Sequence, residues 1–182
     1  MKKIILTVFA ASSLLLYSTP SFALLNFSVG VPLSHTFTGK TTGGTAFESD
    51  GVVGYFIQIG VPMLPGLGMD SHKAQIKSDS SLPFYVSTTM YNLYYLLPIP
   101  IINLTLGVGT GKSQFEFAGL KGDDGTATQW YTSLGIPLIP LFDLHLSYRS
   151  ISSKIESTSG NDKGEKDDVG GNIMGLGIGF NF

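Results

Sequence analysis

From residue 24 onward, large apolar residues and small or polar residues take turns along the chain. The last nine residues set the pattern: Met174, Leu176, Ile178, Phe180 and Phe182 alternate with Gly175, Gly177, Gly179 and Asn181. A period of two sends successive side chains to opposite faces, so this is a β-strand with one greasy side and one nearly bare side. The same alternation opens the segment, where Leu25, Phe27, Val29, Val31 and Leu33 oppose Asn26, Ser28, Gly30, Pro32 and Ser34. It recurs further on, where Val53, Tyr55, Ile57, Ile59 and Val61 oppose Gly54, Phe56, Gln58 and Gly60.

A short turn motif repeats inside the pattern. Gly60-Val61-Pro62-Met63-Leu64-Pro65 returns as Gly135-Ile136-Pro137-Leu138-Ile139-Pro140, and more loosely as Leu96-Leu97-Pro98-Ile99-Pro100. Each copy closes a hairpin. Aligned on Pro65, Pro100 and Pro140, the three strands that follow share one phase. Leu67 and Met69, then Ile102, Leu104, Leu106 and Val108, then Phe142, Leu144, Leu146 and Tyr148 fall on the apolar face. Gly68, Asp70 and His72, then Asn103, Thr105 and Gly107, then Asp143, His145, Ser147 and Arg149 fall on the other, with Asp70, Thr105 and His145 expected at similar depth. The same alignment of the preceding strands sets Tyr55, Tyr91 and Trp130 at one height on the apolar face, as an aromatic girdle at a membrane interface would be; Phe180 and Phe182 supply the girdle at the opposite end.

Eight strands are expected, over 24–37, 52–63, 67–77, 83–97, 101–115, 127–138, 141–153 and 170–182. Short proline-containing turns alternate with longer polar connections near 38–51, 78–82, 116–126 and 154–169. The fold class is therefore all-β, an eight-stranded antiparallel up-and-down transmembrane β-barrel over 24–182. Hydrocarbon offers no partner to an unpaired N–H or C=O, so the first and last strands must pair. Their inner faces carry little beyond Ser28, Gly30, Gly175, Gly177 and Gly179, leaving Phe56, Tyr94 and Tyr131 to fill the lumen from elsewhere. A secreted soluble β-sandwich or lipocalin-like barrel also alternates, but its outer face would carry many charges.

Composition sharpens this picture. Charged residues are only 13% of the chain, against roughly 25% in soluble domains, while 23 glycines and 12% aromatics are present. Met1-Lys2-Lys3, the apolar run from Ile4 to Tyr17 and Ser21-Phe22-Ala23 read as a signal peptide over 1–23. That apolar run is shorter than the roughly 18 to 20 residues of a spanning helix, which weighs against an N-terminal anchor. With 11 basic and 13 acidic residues, and Lys2 and Lys3 in the leader, the remainder carries a formal charge of −4, which leaves no footprint for nucleic acid. The absence of cysteine excludes disulfides, thiolate metal sites and cysteine catalysis.

With leader, turns and terminal Phe182 placed, the chain resembles the small Gram-negative outer-membrane barrels of OmpA/OmpX-type architecture. More closely it is similar to an uncharacterised family of such barrels. The shared features are hairpins like Val61-Pro62-Met63-Leu64-Pro65, a Tyr-rich strand like Tyr91-Asn92-Leu93-Tyr94-Tyr95-Leu96-Leu97, and Gly170-Gly171 ahead of Gly175-Leu176-Gly177. The resemblance implies an outer-membrane location, contact with outer-membrane lipid and lipopolysaccharide, recognition of the C-terminal strand by the barrel insertion machinery, and a monomer. It brings no activity with it.

Chemistry is sparse. Asp70, His72, Asp143, His145 and Arg149 form a candidate lumen cluster, read as a buried polar plug or, alternatively, as a gated proton or ion path. His145 and Ser147 share a strand face, where an imidazole can activate a hydroxyl. Outer-membrane lipid A deacylases carry a similar His-x-Ser pair, but here no Asn follows Ser147, the phase points both groups into the lumen, and the nearest downstream acid is Glu156. Asp162, Glu165, Asp167 and Asp168 in the last connection read as solvated charge rather than as a calcium loop. The expectation is a non-enzymatic barrel with a structural or surface-interaction role and no cofactor or metal, with a lipid A acyl hydrolase and a narrow small-solute pore as alternatives.

Overall fold

The computed structural model describes residues 25–41, 43–61, 64–78, 82–99, 102–139, 141–157 and 163–181. The leader and Phe182 lie outside them. Nine strands follow in order: β1 (Asn26–Phe37), β2 (Ser49–Gly60), β3 (Gly66–Ile76), β4 (Phe84–Pro98), β5 (Asn103–Phe117), β6 (Leu120–Ile139), β7 (Phe142–Glu156), β8 (Lys166–Asp168) and β9 (Gly171–Asn181). Every strand pairs antiparallel with its neighbour in sequence up to β7, and β9 pairs with both β7 and β1, so eight long strands close into a barrel. The short β8 continues the path of β9 above a break at Val169–Gly170, pairing Lys154 with Asp168.

The register is staggered. Following lumen-facing partners round the wall from Phe37, through Gly171, Ile151, Gln129, Gly109, Asn92, Gly68 and Gln58, returns to β1 at Ser28, nine residues below the start. A closed sheet with such a stagger must tilt its strands against the barrel axis.

Alternation sorts the two faces as the sequence requires. Val29, Ile57, Leu67, Leu93, Leu106, Leu134, Leu146 and Ile178 are exposed on the outside, while Phe56, Asp70, Met90, Tyr94, Tyr131, Arg149 and Ile173 are buried inside. Large apolar residues turned outward on every wall are stable only where the surroundings are hydrocarbon. Inside, bulk is matched to bareness. A Cβ on Gly175 would strike the Phe56 ring, one on Gly66 the Tyr94 ring, and one on Gly107 the Tyr131 ring.

Three details depart from the expected strands. A bulge between Pro32 and Ser34 resets the phase of β1, so Ser34 faces out and His35 and Phe37 face in. The connection expected near 116–126 is a continuous hairpin whose turn is only Ala118-Gly119, both at positive φ (50° and 82°), as two-residue hairpin turns need. The last connection is likewise shortened, because β7 runs to Glu156 and β8 pairs with it.

Candidate functional site

Strands β3 and β7 face each other across the barrel, four places apart in the ring. Their inward residues read Gly68, Asp70, His72, Ala74 on one side and Asp143, His145, Ser147, Arg149, Ile151 on the other. At mid-height the Arg149 guanidinium meets the Asp70 carboxylate, Nε to Oδ2, at 3.1 Å. Arg149 also donates to Ser147 Oγ at 2.6 Å and lies between the Phe56 ring, 3.6 Å away, and the Tyr131 ring, 4.8 Å away. Gln129 donates to Asp70 Oδ2 at 2.6 Å and to Asn92 Oδ1. Gln58 donates to the Tyr131 hydroxyl at 2.7 Å and accepts from Ser28 Oγ at 3.0 Å. A buried ion pair is tolerable where neighbouring groups hydrogen-bond to it, as Gln129 and Ser147 do here, while Asp70 Oδ1, Gln129 Oε1 and Asn92 Nδ2 are buried without a protein partner.

Toward the short-turn end a second group gathers on Asp143. Asn103 and Asn181 both donate to its Oδ2, Asn181 at 2.6 Å, and Asn26 donates to Asn181 Oδ1 at 2.6 Å. His145 stands beside it, with Nε2 3.9 Å from Asp143 Oδ2 and Nδ1 3.4 Å from Ser133 Oγ. The expected equal depth of Asp70 and His145 does not hold. Asp70 is level with Arg149, four residues above His145 on β7, because strand tilt displaces equivalent positions on opposite walls. The His145–Ser147 pair is also divided: Ser147 is bonded to Arg149 and His145 to Ser133, and both face the lumen. Glu156 is at the far end of β7, with Lys166 at 3.2 Å.

Toward the loop end lies His72, its ring centroid 6.3 Å from that of His35. The expected cluster of five is thus three levels, with Asp143 and His145 lowest, Asp70 and Arg149 in the middle, and His72 above. His35 escapes a strict alternation because the bulge turns it inward. Gly171 clears room for its imidazole, since a Cβ there would stand 2.7 Å from His35 Nε2. Above the histidines, Phe37, Ala74, Ile76, Val86, Ile155 and Val169 close the mouth with apolar side chains. The cavity beside Gly30, Gly177 and Arg149 measures about 20 Å³, room for roughly one water molecule.

On the outer face Tyr55, Tyr91 and Trp130 are all exposed. Tyr91 is level along the register with Ile57 on β2 and Thr128 on β6, so Tyr55 sits two residues above that line and Trp130 two below. That descent follows the strand tilt and brings the three to one height. Tyr148 joins them, 5.6 Å from Trp130. Near the turn end Phe180 lies 6.2 Å from Phe27 and 5.0 Å from Phe142. Among the described residues no group of three or more His, Cys, Asp or Glu could hold a metal ion; Asp162 is outside them.

A closed eight-stranded barrel, greasy outside and polar within, defines a small membrane-spanning barrel of the outer-membrane class. Comparison of structures places the chain beside Neisserial surface protein A, with a TM-score of 0.60 and 12% identity over 87% of this chain and 97% of that one. It also matches outer membrane protein W of E. coli (TM-score 0.49, 8% identity, 90% and 100% covered) and Ail, the attachment invasion locus protein of Yersinia pestis (0.47, 17%, 87% and 97%). At these identities the likeness to the Neisserial protein shows a shared fold. No family model matches the chain, and no curated protein matches it in sequence.

Proposed function

We propose that this chain is an integral outer-membrane β-barrel with a closed lumen, acting in membrane structure or surface interaction rather than as an enzyme or a pore. The observation that carries the reading is the filled interior. Arg149, Asp70, Gln129, Phe56 and Tyr131 occupy the barrel at mid-height, and apolar residues seal the loop end. A lumen occupied by its own paired side chains has no room for solute.

Residues 1–23 act as a signal peptide in this reading, and the C-terminal strand addresses the chain to the insertion machinery. Tyr55, Tyr91 and Trp130 form the girdle at the loop-side interface, with Phe180 at the other, where Phe182, outside the described residues, is expected to join it. The five-residue lumen set is a structural plug. A closed sheet offers no edge to a second copy, which supports a monomer. Separate partners for Ser147 and His145 speak against acyl hydrolysis.

Planar-bilayer recording tests the proposal. The intact barrel should add no resolvable conductance, and steady ohmic steps from it would make it a pore.

A further inference from the structure

The outer wall is not uniformly smooth. Between β4, β5 and β6 runs an apolar furrow of about 420 Å³, walled by Leu93, Tyr95, Leu106, Val108 and Trp130, with Pro65 at its lower end. Its floor is the strand backbone at Tyr94, Gly107 and Tyr131, where Tyr94 and Tyr131 are buried on the lumen side. The furrow descends from the level of the interfacial tryptophan into the apolar belt, along the path a lipid chain of the loop-side leaflet would take.

Directly above it the outward residues change character in register. Val108 pairs with Trp130; one row higher Thr110 pairs with Thr128 and Thr128 with Ser152; the next row pairs Lys112 with Thr126. Lys154 follows Ser153, the partner of Ala127, and is exposed beside Thr126. Two lysines therefore flank a field of hydroxyls over the mouth of one chain-sized furrow. Lys112 gives one hydrogen bond to Asp124 Oδ2 at 2.8 Å and is 73% exposed, and an ammonium has three donors. Lys154 stands opposite Asp168 in the β7–β8 ladder, but among the described residues it makes no ion pair, so its ammonium is not held by that carboxylate.

We propose that the β4–β6 wall seats one phosphorylated glycolipid, an acyl chain in the furrow, its phosphate between Lys112 and Lys154, and its sugar hydroxyls against Thr110, Thr126 and Thr128. The occupant follows from complementarity. Cations suit phosphate, and neutral donor-acceptor side chains suit sugar; a zwitterionic phosphocholine lipid would leave the hydroxyl field unmatched and bring its own cation to the lysines. The inference rests on the outer-membrane reading above and adds to it a chosen lipid at a chosen wall.

Trp130 is the chain's only tryptophan and stands on the furrow's rim, so its fluorescence reports the occupant. The barrel is reconstituted in phosphatidylcholine vesicles containing a small fraction of one chain-brominated lipid, either phosphatidylcholine or a phosphorylated glucosamine disaccharide lipid. The glycolipid should quench as though enriched about tenfold at Trp130 over its bulk fraction, equivalent to ~1.4 kcal/mol. Lys112→Ala with Lys154→Ala should remove the enrichment, and Val108→Phe, which narrows the furrow, should reduce it. Equal quenching by the two lipids, or enrichment that survives loss of both lysines, would overturn the proposed seat while leaving the barrel in its membrane. Quenching by neither lipid, with free quenching by aqueous acrylamide, would instead overturn the membrane reading.

Discussion

Arg149 shows what alternation along a strand tells and what it omits. Its inward direction is legible, because Asp143, His145, Ser147 and Arg149 occupy every second position of one segment. Its partner is not, since period two fixes a face and says nothing about height on the opposite wall. Only the stagger of the closed barrel sets Arg149 level with Asp70. Arg149→Ala leaves a fully buried carboxylate without its cation, and should cost about 3–5 kcal/mol in urea unfolding of the lipid-reconstituted barrel. The same variant should show conductance that the intact barrel lacks. A loss below about 1 kcal/mol with silent bilayers would show the pair to be dispensable. At the surface, Lys77 donates to Glu48 at 2.9 Å, and this bond, followed by the ammonium charge, holds the Glu48 carboxyl below its ordinary 4.5. What this adds to stability is present above the unfolded carboxyl's value and is lost as pH falls through the lower folded one. In an NMR titration Lys77→Ala should return Glu48 toward 4.5; an unmoved titration would mean the contact is not populated.

At the level of elements, the repeated Pro-containing turns made strand order and phase readable, while breaks in regularity hid the rest. The Pro32–Ser34 bulge reverses the face of everything after it in β1, so His35 has no signal in simple alternation. The polar, glycine-containing stretch 116–126 reads as a loop by composition, yet Ala118-Gly119 turns tightly enough for β5 and β6 to continue as a ladder. The inner glycines can be tested as cut-outs for particular rings. Gly107→Ala places a methyl inside the Tyr131 ring and should cost about 1–3 kcal/mol. In a Tyr131→Leu background that added cost should largely vanish. An equal penalty in both backgrounds would assign the glycine to backbone conformation instead.

For the whole molecule, class and location follow from one asymmetry, an apolar outside and a polar, filled inside, repeated on all eight walls. The role does not, because lipid-facing alternation is a solvent requirement that every such barrel meets and the loops carry little distinctive chemistry. The most direct measurement uses the absence of native cysteine. Single cysteines placed at Leu104, Leu106 and Val108 on β5, nitroxide-labelled in lipid vesicles, report contact with oxygen dissolved in hydrocarbon and with an aqueous nickel chelate. All three labels should respond strongly to oxygen and hardly to nickel. Labels at Leu104, Leu106 and Val108 that stay shielded from oxygen would mean that the greasy face points inward.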